Sequence, residues 1–490
     1  MSLFSIITSF SKEESDLFIQ YIRSRNKRKD TKNIDLYMLL RKGVPVNDII
    51  TTLYGSSNRN AYHALSKRLQ DSLIDFIATR SFETETSEDM TIFKWILTAR
   101  ILYEQDQIDP AHKLLKKAIK KAKQLDLYTA LVEAYHTQIQ YSHLHPEQDL
   151  PELVAAAQQC HKLFLQQERL NMAYAHIKRT VQFNTALLQQ GVQETIEQIL
   201  ADFKIDIQKD LTYKSLYQLL EIINTAAHLD HNFSKALPFI TKVYKLIEQK
   251  DHVAAKHRFY HIQVLYFMAN AHFRVRDFTQ AHSYLKLMDE QIGADRRKWE
   301  SRFRESYLLI HSFVMNYSGS YTTAITSLEE YIKNTKGKSH PDTRLALVVF
   351  LTQQGLYKEA LGQLNKLKHS DQWYETQLGK DWLIKRDLIT LIIYYELEYV
   401  DLAHATLRSF KRKHKSIIRS EARLHSFIAV YTAMHNNPLV IDEDRFRESV
   451  KNNFTTSTLK EEDIFMVSFF AWIKSKLDNT PLYDTTLHLL

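Results

Sequence analysis

A short phrase of small and apolar residues recurs about every 42 residues along this chain. Each copy has a small or apolar residue, an apolar residue four positions later and another three positions after that. The full copies are Ala111/Leu115/Ala118, Ala236/Ile240/Val243, Ala281/Leu285/Met288, Ala324/Leu328/Tyr331, Ala360/Leu364/Leu367 and Ala403/Leu407/Phe410, with degenerate copies at Ala156/Cys160/Leu163 and Ile196/Leu200/Phe203. Residues at these spacings lie on one face of a helix. A fixed period of about 42 residues predicts a helical solenoid.

Glycine and proline are scarce, at nine and eight residues in a chain of 490, well below the average usage of about 7% and 5%. So few turn-forming residues predict long helices and an all-α fold. Gly191, Gly319 and Gly355 each come just before the second helix of a predicted pair, where glycine supplies left-handed backbone that ends the first helix. The recurring phrase then marks the second helix, and its small residue allows close helix approach.

The chain divides into two predicted domains, residues 1–85 and 86–490. The first is a helical bundle whose predicted helices span 11–23 (opened by a capping box at Ser11), 33–41, 46–54 and 59–80. The acidic, aperiodic segment 81–89 predicts a linker or long turn. In the second domain, 457–478 predicts a helix that caps the end of the solenoid, and 479–490 predicts a loosely packed tail.

The order of corner, aromatic, alanine and apolar residues resembles the second half of the tetratricopeptide repeat. The most similar copies are Gly319-Ser320-Tyr321-x-x-Ala324-x-x-x-Leu328-x-x-Tyr331 and Gln354-Gly355-Leu356-Tyr357-x-x-Ala360. The resemblance covers residues 90–450, with a period near 42 where the family has 34, and with a weak first-helix pattern. It implies a right-handed α–α superhelix whose concave face binds peptides or other proteins.

Composition indicates an ordinary folded protein, with 44% hydrophobic and 25% charged residues. The single cysteine, Cys160, excludes an intrachain disulfide and a multi-cysteine zinc site. The first ten residues carry no charged-then-apolar leader, and no apolar stretch approaches the roughly 18 residues of a transmembrane helix. We therefore expect a cytoplasmic protein with no membrane partner.

No motif predicts catalysis, a cofactor or a metal. Gly337-Lys338-Ser339 has Ile332 where a phosphate-binding loop needs another glycine, and Cys160 fills an apolar slot of a repeat, which predicts a buried thiol rather than a nucleophile paired with His161. Three histidine pairs are candidate metal ligands, of which His257/His261 could share one helix face, but no third ligand is in helical register with any of them. These pairs are His143/His145, His228/His231 and His257/His261.

The amino-terminal region also has features of a nucleic-acid contact. A helix, the turn Gly55–Asn58 and a further helix resemble a helix-turn-helix, similar to the last helix of winged-helix domains that precede tetratricopeptide-type repeats in some bacterial transcription regulators. The resemblance implies groove-facing positions at Arg59, Asn60, Tyr62, His63 and Lys67, and a basic cluster at Arg25, Lys27, Arg28 and Lys29 is a further candidate. No wing hairpin follows, so we favour a plain helical bundle.

Two functions follow from these patterns. The first is a non-enzymatic cytoplasmic scaffold or adaptor that binds a protein or peptide along the concave face of its repeats. The alternative is a transcriptional regulator with an amino-terminal DNA-binding domain and sensor repeats. A net charge of +8 is compatible with both.

Overall fold

The computed structural model describes residues 3–10, 12–25, 32–55, 58–84, 88–183, 192–207, 211–229, 233–249, 257–335, 339–453 and 464–490. Every regular element in these ranges is helical, which confirms the predicted all-α fold. The α-helices are Leu3–Ser9, Lys12–Arg25, Lys32–Arg41, Val46–Tyr54, Arg59–Thr84, Glu88–Glu104, Ile108–Gln124, Tyr128–Gln140, Leu150–Phe183, Val192–Asp202, Tyr213–Leu229, Phe233–Glu248, Arg258–Arg274, Phe278–Arg297, Glu300–Tyr317, Tyr321–Asn334, Pro341–Gln353, Tyr357–Leu364, Asp371–Leu378, Lys380–Glu396, Val400–Lys413, Lys415–Ser420, Ala422–Asn436, Asp444–Asn453, Ile464–Asp478 and Leu482–Leu489, with 3₁₀ turns at Ser142–Leu144 and Pro438–Asp442.

The chain forms two compact units, Met1–Phe164 and Leu165–Leu490. In the first unit the buried residues fall into two clusters, one between Ile7 and Phe76 and the other between Ile92 and Cys160. The second unit has one cluster between Leu170 and Leu477. The predicted domain boundary at residue 85 lies between the two clusters of the first unit, and it stays a prediction. Across the residues described, no helix has both the length and the apolar character needed to cross a membrane.

Helices that are neighbours in sequence pack as pairs, and the recurring phrase lies on the second helix of each pair. Ala281, Leu285 and Met288 are all fully buried, and the other full copies are buried or half-buried throughout. Small first residues such as Ala281 and Ala360, both at 0% exposure, allow the backbones of the paired helices to come close. The residues of the recurring phrase therefore pack the two helices of each pair together.

In five of the helix pairs, the first helix ends in the same backbone geometry. At each corner one residue has a positive φ two positions before the second helix begins, and the next residue donates its N–H to the carbonyl five residues back at 2.8–2.9 Å. This is the Schellman ending, which satisfies carbonyls that the helix leaves free. The positive-φ residues are Asp106, Arg276, Gly319, Gly355 and Glu398. The corners at Gly319 and Gly355 were expected from sequence, and Gly191 lies outside the described residues.

Two sequence expectations about chain ends and linkers are wrong. The segment 81–89 is not a linker throughout, because helix Arg59–Thr84 continues into it and helix Glu88–Glu104 begins within it. The carboxy-terminal tail is not loosely packed either. It forms helix Leu482–Leu489, in which Tyr483 and Thr486 are buried. The Ser11 capping box and the first residues of the predicted 457–478 helix lie outside the described residues.

Replacing Gly355 by alanine should destabilise the second unit by about 1 kcal/mol, because a left-handed conformation costs a side-chain-bearing residue roughly 1–2 kcal/mol. No atom lies within 4 Å of the Cβ that would be added, so the effect comes from the backbone alone. Gly362→Ala is the matched control: Gly362 lies inside helix Tyr357–Leu364 with the same open space. It should stabilise by about 0.5–1 kcal/mol. Chemical denaturation measures both, and changes of the same sign would contradict the corner geometry.

Candidate binding surfaces

The first helices of the second unit present one shared face, and the carboxy-terminal helix Ile464–Asp478 lies on it. We call this surface the first-helix face and define it by four helices. These are Glu300–Tyr317, Pro341–Gln353, Lys380–Glu396 and Ala422–Asn436. The contacts described below place Ile464–Asp478 against all four. The sequence predicted a cap on the end of the solenoid, whereas the structure places the helix against all four helices of this face.

A polar contact fixes the middle of the carboxy-terminal helix. The hydroxyl groups of Ser468 and Tyr317 lie 3.0 Å apart, and the Gln353 amide donates to Tyr317 Oη at 3.4 Å and to Ser468 Oγ at 3.5 Å. The amide of Asn316 in turn donates to Gln353 Oε1 at 2.9 Å. Asn316 and Gln353 are both buried, so each needs these partners to offset its desolvation. The network sets the register of the helix on the face.

Trp472 is the main anchor of the helix, with 1% of its surface exposed. Its ring centroid lies 5.3 Å from that of Tyr395, 5.9 Å from that of Tyr431 and 6.2 Å from that of Phe427. The indole N–H donates to Glu396 Oε1 at 2.6 Å. The aromatic body is therefore buried among rings while its polar atom has an acceptor, as a buried tryptophan requires.

Glu396 joins Trp472 to a basic residue one helical turn further on. Its second oxygen, Oε2, lies 2.6 Å from Lys476 Nζ. The carboxylate is 9% exposed, and a carboxylate so buried needs compensation by charge and hydrogen bonds. Trp472 and Lys476 supply both, four residues apart on one face of the helix.

The last helix, Leu482–Leu489, extends the covered area. The Tyr483 hydroxyl donates to the backbone carbonyl of Asn316 at 2.6 Å, and the Tyr483 ring lies edge-on to Tyr321 with the centroids 4.9 Å apart. Burial raises the pKa of Tyr483 to about 12. The contact joins residues 167 positions apart in sequence.

A cavity of about 300 Å³ remains between the first helices and the carboxy-terminal segment. The wall on the side of the first helices is apolar and includes Tyr266, Phe273, Phe313 and Trp382. The wall on the side of the carboxy-terminal segment is formed by Phe469 and Trp472. Asn270 and Asp381 add polar groups to the lining. Mostly apolar concave walls with a few polar groups are typical of binding sites.

Glu396→Gln should loosen the carboxy-terminal segment, because it removes the charge that holds Lys476 and weakens the acceptor for Trp472. A hydrogen bond to a charged group contributes about 1.5–3 kcal/mol. We expect trypsin to cut after Lys474 and Lys476 roughly tenfold faster or more, since cleavage follows the population of the open form.

The control for this experiment is Glu359→Gln, an exposed glutamate in the first turn of helix Tyr357–Leu364. Its cleavage pattern should match that of the wild type. Equal cleavage rates for wild type and Glu396→Gln would contradict the role given to Glu396.

In the first unit, the structure forms the two expected helices, and residues 56 and 57 between them lie outside the described residues. Helix Val46–Tyr54 ends at Gly55, whose φ is 66°, and helix Arg59–Thr84 follows. Asn58 Oδ1 accepts from the Ala61 N–H at 3.1 Å, and the Tyr54 hydroxyl donates to the Ala61 carbonyl at 3.1 Å. The start of helix Arg59–Thr84 is thus fixed by a side-chain cap. The described part of residues 1–84 contains no strand, so it shows no wing.

The candidate nucleic-acid residues fall into separate groups. Arg59, Asn60, His63 and Lys67 are exposed, whereas Tyr62 is 8% exposed and belongs to the core. Arg25 is exposed and forms an ion pair with Asp75 at 2.7 Å, and that hydrogen bond raises the pKa of Arg25. The remaining members of the basic cluster, Lys27, Arg28 and Lys29, lie outside the described residues.

The structure also shows the surroundings of the cysteine and of several histidines considered from the sequence. Cys160 is 5% exposed, and burial raises the pKa of its thiol, as expected for a packing residue. His257 is 2% exposed and stacks on Tyr213, with ring centroids 5.4 Å apart. The side chains of His228 and His231, together with Gly337 and Lys338, are outside the described part. His145 is buried, and its neighbour is His112 rather than the exposed His143.

No known family model, curated protein or solved structure shows significant similarity to this chain. The likeness to tetratricopeptide repeats accordingly rests on the residues quoted from the sequence. The paired helices and their repeated corners are compatible with it.

Proposed function

We propose that this protein is a non-enzymatic cytoplasmic scaffold or adaptor, and that the first-helix face of its second unit binds a helical segment of a partner protein. In this proposal the repeats form a right-handed, tetratricopeptide-like superhelix and the first-helix face is its inner surface. The observation that supports it is the helix Ile464–Asp478, which the face already holds as an intramolecular ligand.

The bound segment indicates the chemistry of a partner. Phe469 and Trp472 supply large apolar side chains, the Trp472 N–H reaches a carboxylate, and Lys476 pairs with the same carboxylate. A partner helix with an aromatic residue followed four positions later by lysine or arginine would reproduce these contacts. Anchors at such intervals are typical of helix-in-groove recognition.

The carboxy-terminal segment must compete with any such partner. A segment of the same chain competes at an effective concentration that can reach about millimolar. A partner in solution therefore binds only the fraction of molecules in which the segment has left the face. The apparent affinity is reduced by the fraction of molecules whose face is open. Loosening the segment should therefore strengthen binding from outside.

This competition can be measured with a fluorescent peptide of residues 462–480 added to the full-length protein. Trp472→Ala in the protein should open the face, since truncating a buried tryptophan costs about 3–5 kcal/mol. We expect the peptide, which retains its tryptophan, to bind this variant at least tenfold more tightly than the wild type in fluorescence anisotropy.

Two controls accompany the titration. Lys474→Ala, a change at a residue that pairs with Asp478 in the same helix at 2.6 Å, should leave peptide affinity at the wild-type value. A peptide with alanine in place of its tryptophan should bind neither variant. If the Trp472→Ala protein keeps its helical circular dichroism and binds the intact peptide no better than wild type, the face is not a helix receptor.

A second candidate function, DNA binding by the first unit, is favoured by one observation. Arg59, His63 and Lys67 are exposed at intervals of four on helix Arg59–Thr84, directly after the capped turn. They occupy one side of the helix that the helix-turn-helix resemblance assigns to the groove. In this alternative the repeats would sense a partner or peptide and the first unit would contact DNA.

The DNA hypothesis predicts a salt-dependent mobility shift of duplex DNA by the full-length protein. Changing both Arg59 and Lys67 to alanine should weaken binding and lower the slope of log affinity against log salt by roughly two, about one per lost phosphate contact. Lys286→Ala, at an exposed position in the second unit, should leave the slope unchanged. No retardation of any duplex at low salt would contradict the hypothesis.

A further inference from the structure

Three potential metal ligands from two parts of the first unit converge near one point. His112 lies on helix Ile108–Gln124, beside the repeat residue Ala111, while His145 and Glu147 follow the 3₁₀ turn Ser142–Leu144. One ligand atom from each of the three lies within 4.8 Å of the others. The imidazole centroids of His112 and His145 are 3.8 Å apart.

The spacing suits a tetrahedral ion. His145 Nδ1 and Glu147 Oε1 are 3.4 Å apart, and two ligands of a tetrahedral zinc ion with bonds near 2.0–2.1 Å are separated by about 3.4 Å. That pair already has the separation needed. The third ligand atom, from His112, lies within 4.8 Å of both.

Tyr103 supplies the outer contact that metal-binding histidines commonly have. Its hydroxyl lies 3.3 Å from His145 Nε2 and 3.4 Å from His112 Nδ1. A hydroxyl oxygen can accept two hydrogen bonds. When both rings donate to Tyr103, His145 Nδ1 and His112 Nε2 keep their lone pairs for an ion, the arrangement expected around a metal-bound imidazole.

Tyr103 is itself held in place, and the site is open on one side. The Tyr103 ring is 4% exposed and stacks on Tyr141, with centroids 4.2 Å apart and planes 8° from parallel. The Glu147 side chain is 70% exposed, whereas that of His145 is only 8% exposed. An ion could therefore reach the buried imidazole from the side of Glu147, and water could complete its coordination.

We propose that His112, His145 and Glu147 bind a divalent transition-metal ion of the zinc class. Two imidazoles and one carboxylate form a donor set that zinc accepts, leaving a fourth position for water. The ion would link helix Ile108–Gln124 to the corner that follows helix Tyr128–Gln140. This site lies in the first unit and does not depend on the first-helix face.

The test uses the untagged full-length protein, titrated with Zn²⁺ in competition with a chromophoric chelator and separately with Co²⁺ under visible absorption. We expect one site in the wild type that is lost in His112→Ala, together with an intense Co²⁺ spectrum typical of low coordination number. Glu147→Gln changes a largely exposed side chain and should weaken zinc binding about tenfold or more while the circular dichroism spectrum stays unchanged.

His143→Ala is the matched control, because His143 is exposed in the same corner but outside the cluster. It should retain the site and the Co²⁺ spectrum. Equal zinc stoichiometry and affinity in wild type, His112→Ala and Glu147→Gln would overturn the proposal. A wild-type Co²⁺ spectrum as weak as that of hydrated Co²⁺ would also overturn it, and the four side chains would then form only a hydrogen-bonded cluster.

Discussion

The Schellman corner is the constraint on which the repeat architecture depends. At the five corners described above, it ends the first helix and starts the second helix two residues after the left-handed residue. This fixes the direction in which the chain returns, and the small residue of the phrase then allows the pair to close. Because each pair buries only part of its apolar surface, successive pairs must stack. Stacking places the first helices side by side and creates their common face.

That common face is too apolar to be left bare, and the carboxy-terminal segment covers it. Trp472, Phe469 and Tyr483 bury their rings there. Glu396 accepts from the Trp472 N–H, the Asn316 carbonyl accepts from the Tyr483 hydroxyl, and Gln353 donates to Ser468. Large exposed apolar surfaces mark interaction sites in soluble proteins. A surface covered by a segment of its own chain can be opened when that segment detaches, which connects the packing of the second unit with its proposed adaptor function.

The sequence predicted the parts of the fold that depend on local spacing. The phrase Ala281/Leu285/Met288 identified a buried helix face, and Gly319 and Gly355 identified two of the five corners. Arg276 and Glu398 adopt the same left-handed conformation without being glycine, so the residue at the left-handed position did not itself indicate either corner. The segment 81–89 looked like a linker because it is polar, yet polarity alone does not stop a helix.

The sites depend on contacts between distant residues, and those contacts leave little signal in a single sequence. Tyr483 bonds to Asn316 across 167 positions, and Trp472 to Glu396 across 76. His145 was noticed beside His143, but its partner His112 lies on another helix. Of the five positions that the helix-turn-helix resemblance assigned to the groove side, Arg59, Asn60, His63 and Lys67 are exposed, whereas Tyr62 is buried.

Native-state hydrogen exchange of the full-length protein tests the central claim, that residues 464–489 act as a detachable ligand of the repeats. Amides of Ile464–Asp478 and Leu482–Leu489 should share one opening free energy, below that of Lys380–Glu396 and Pro341–Gln353, because the segment leaves while the repeats stay folded. If the segment exchanges only together with those first helices, in a single global unfolding, it is a core element and the account is contradicted.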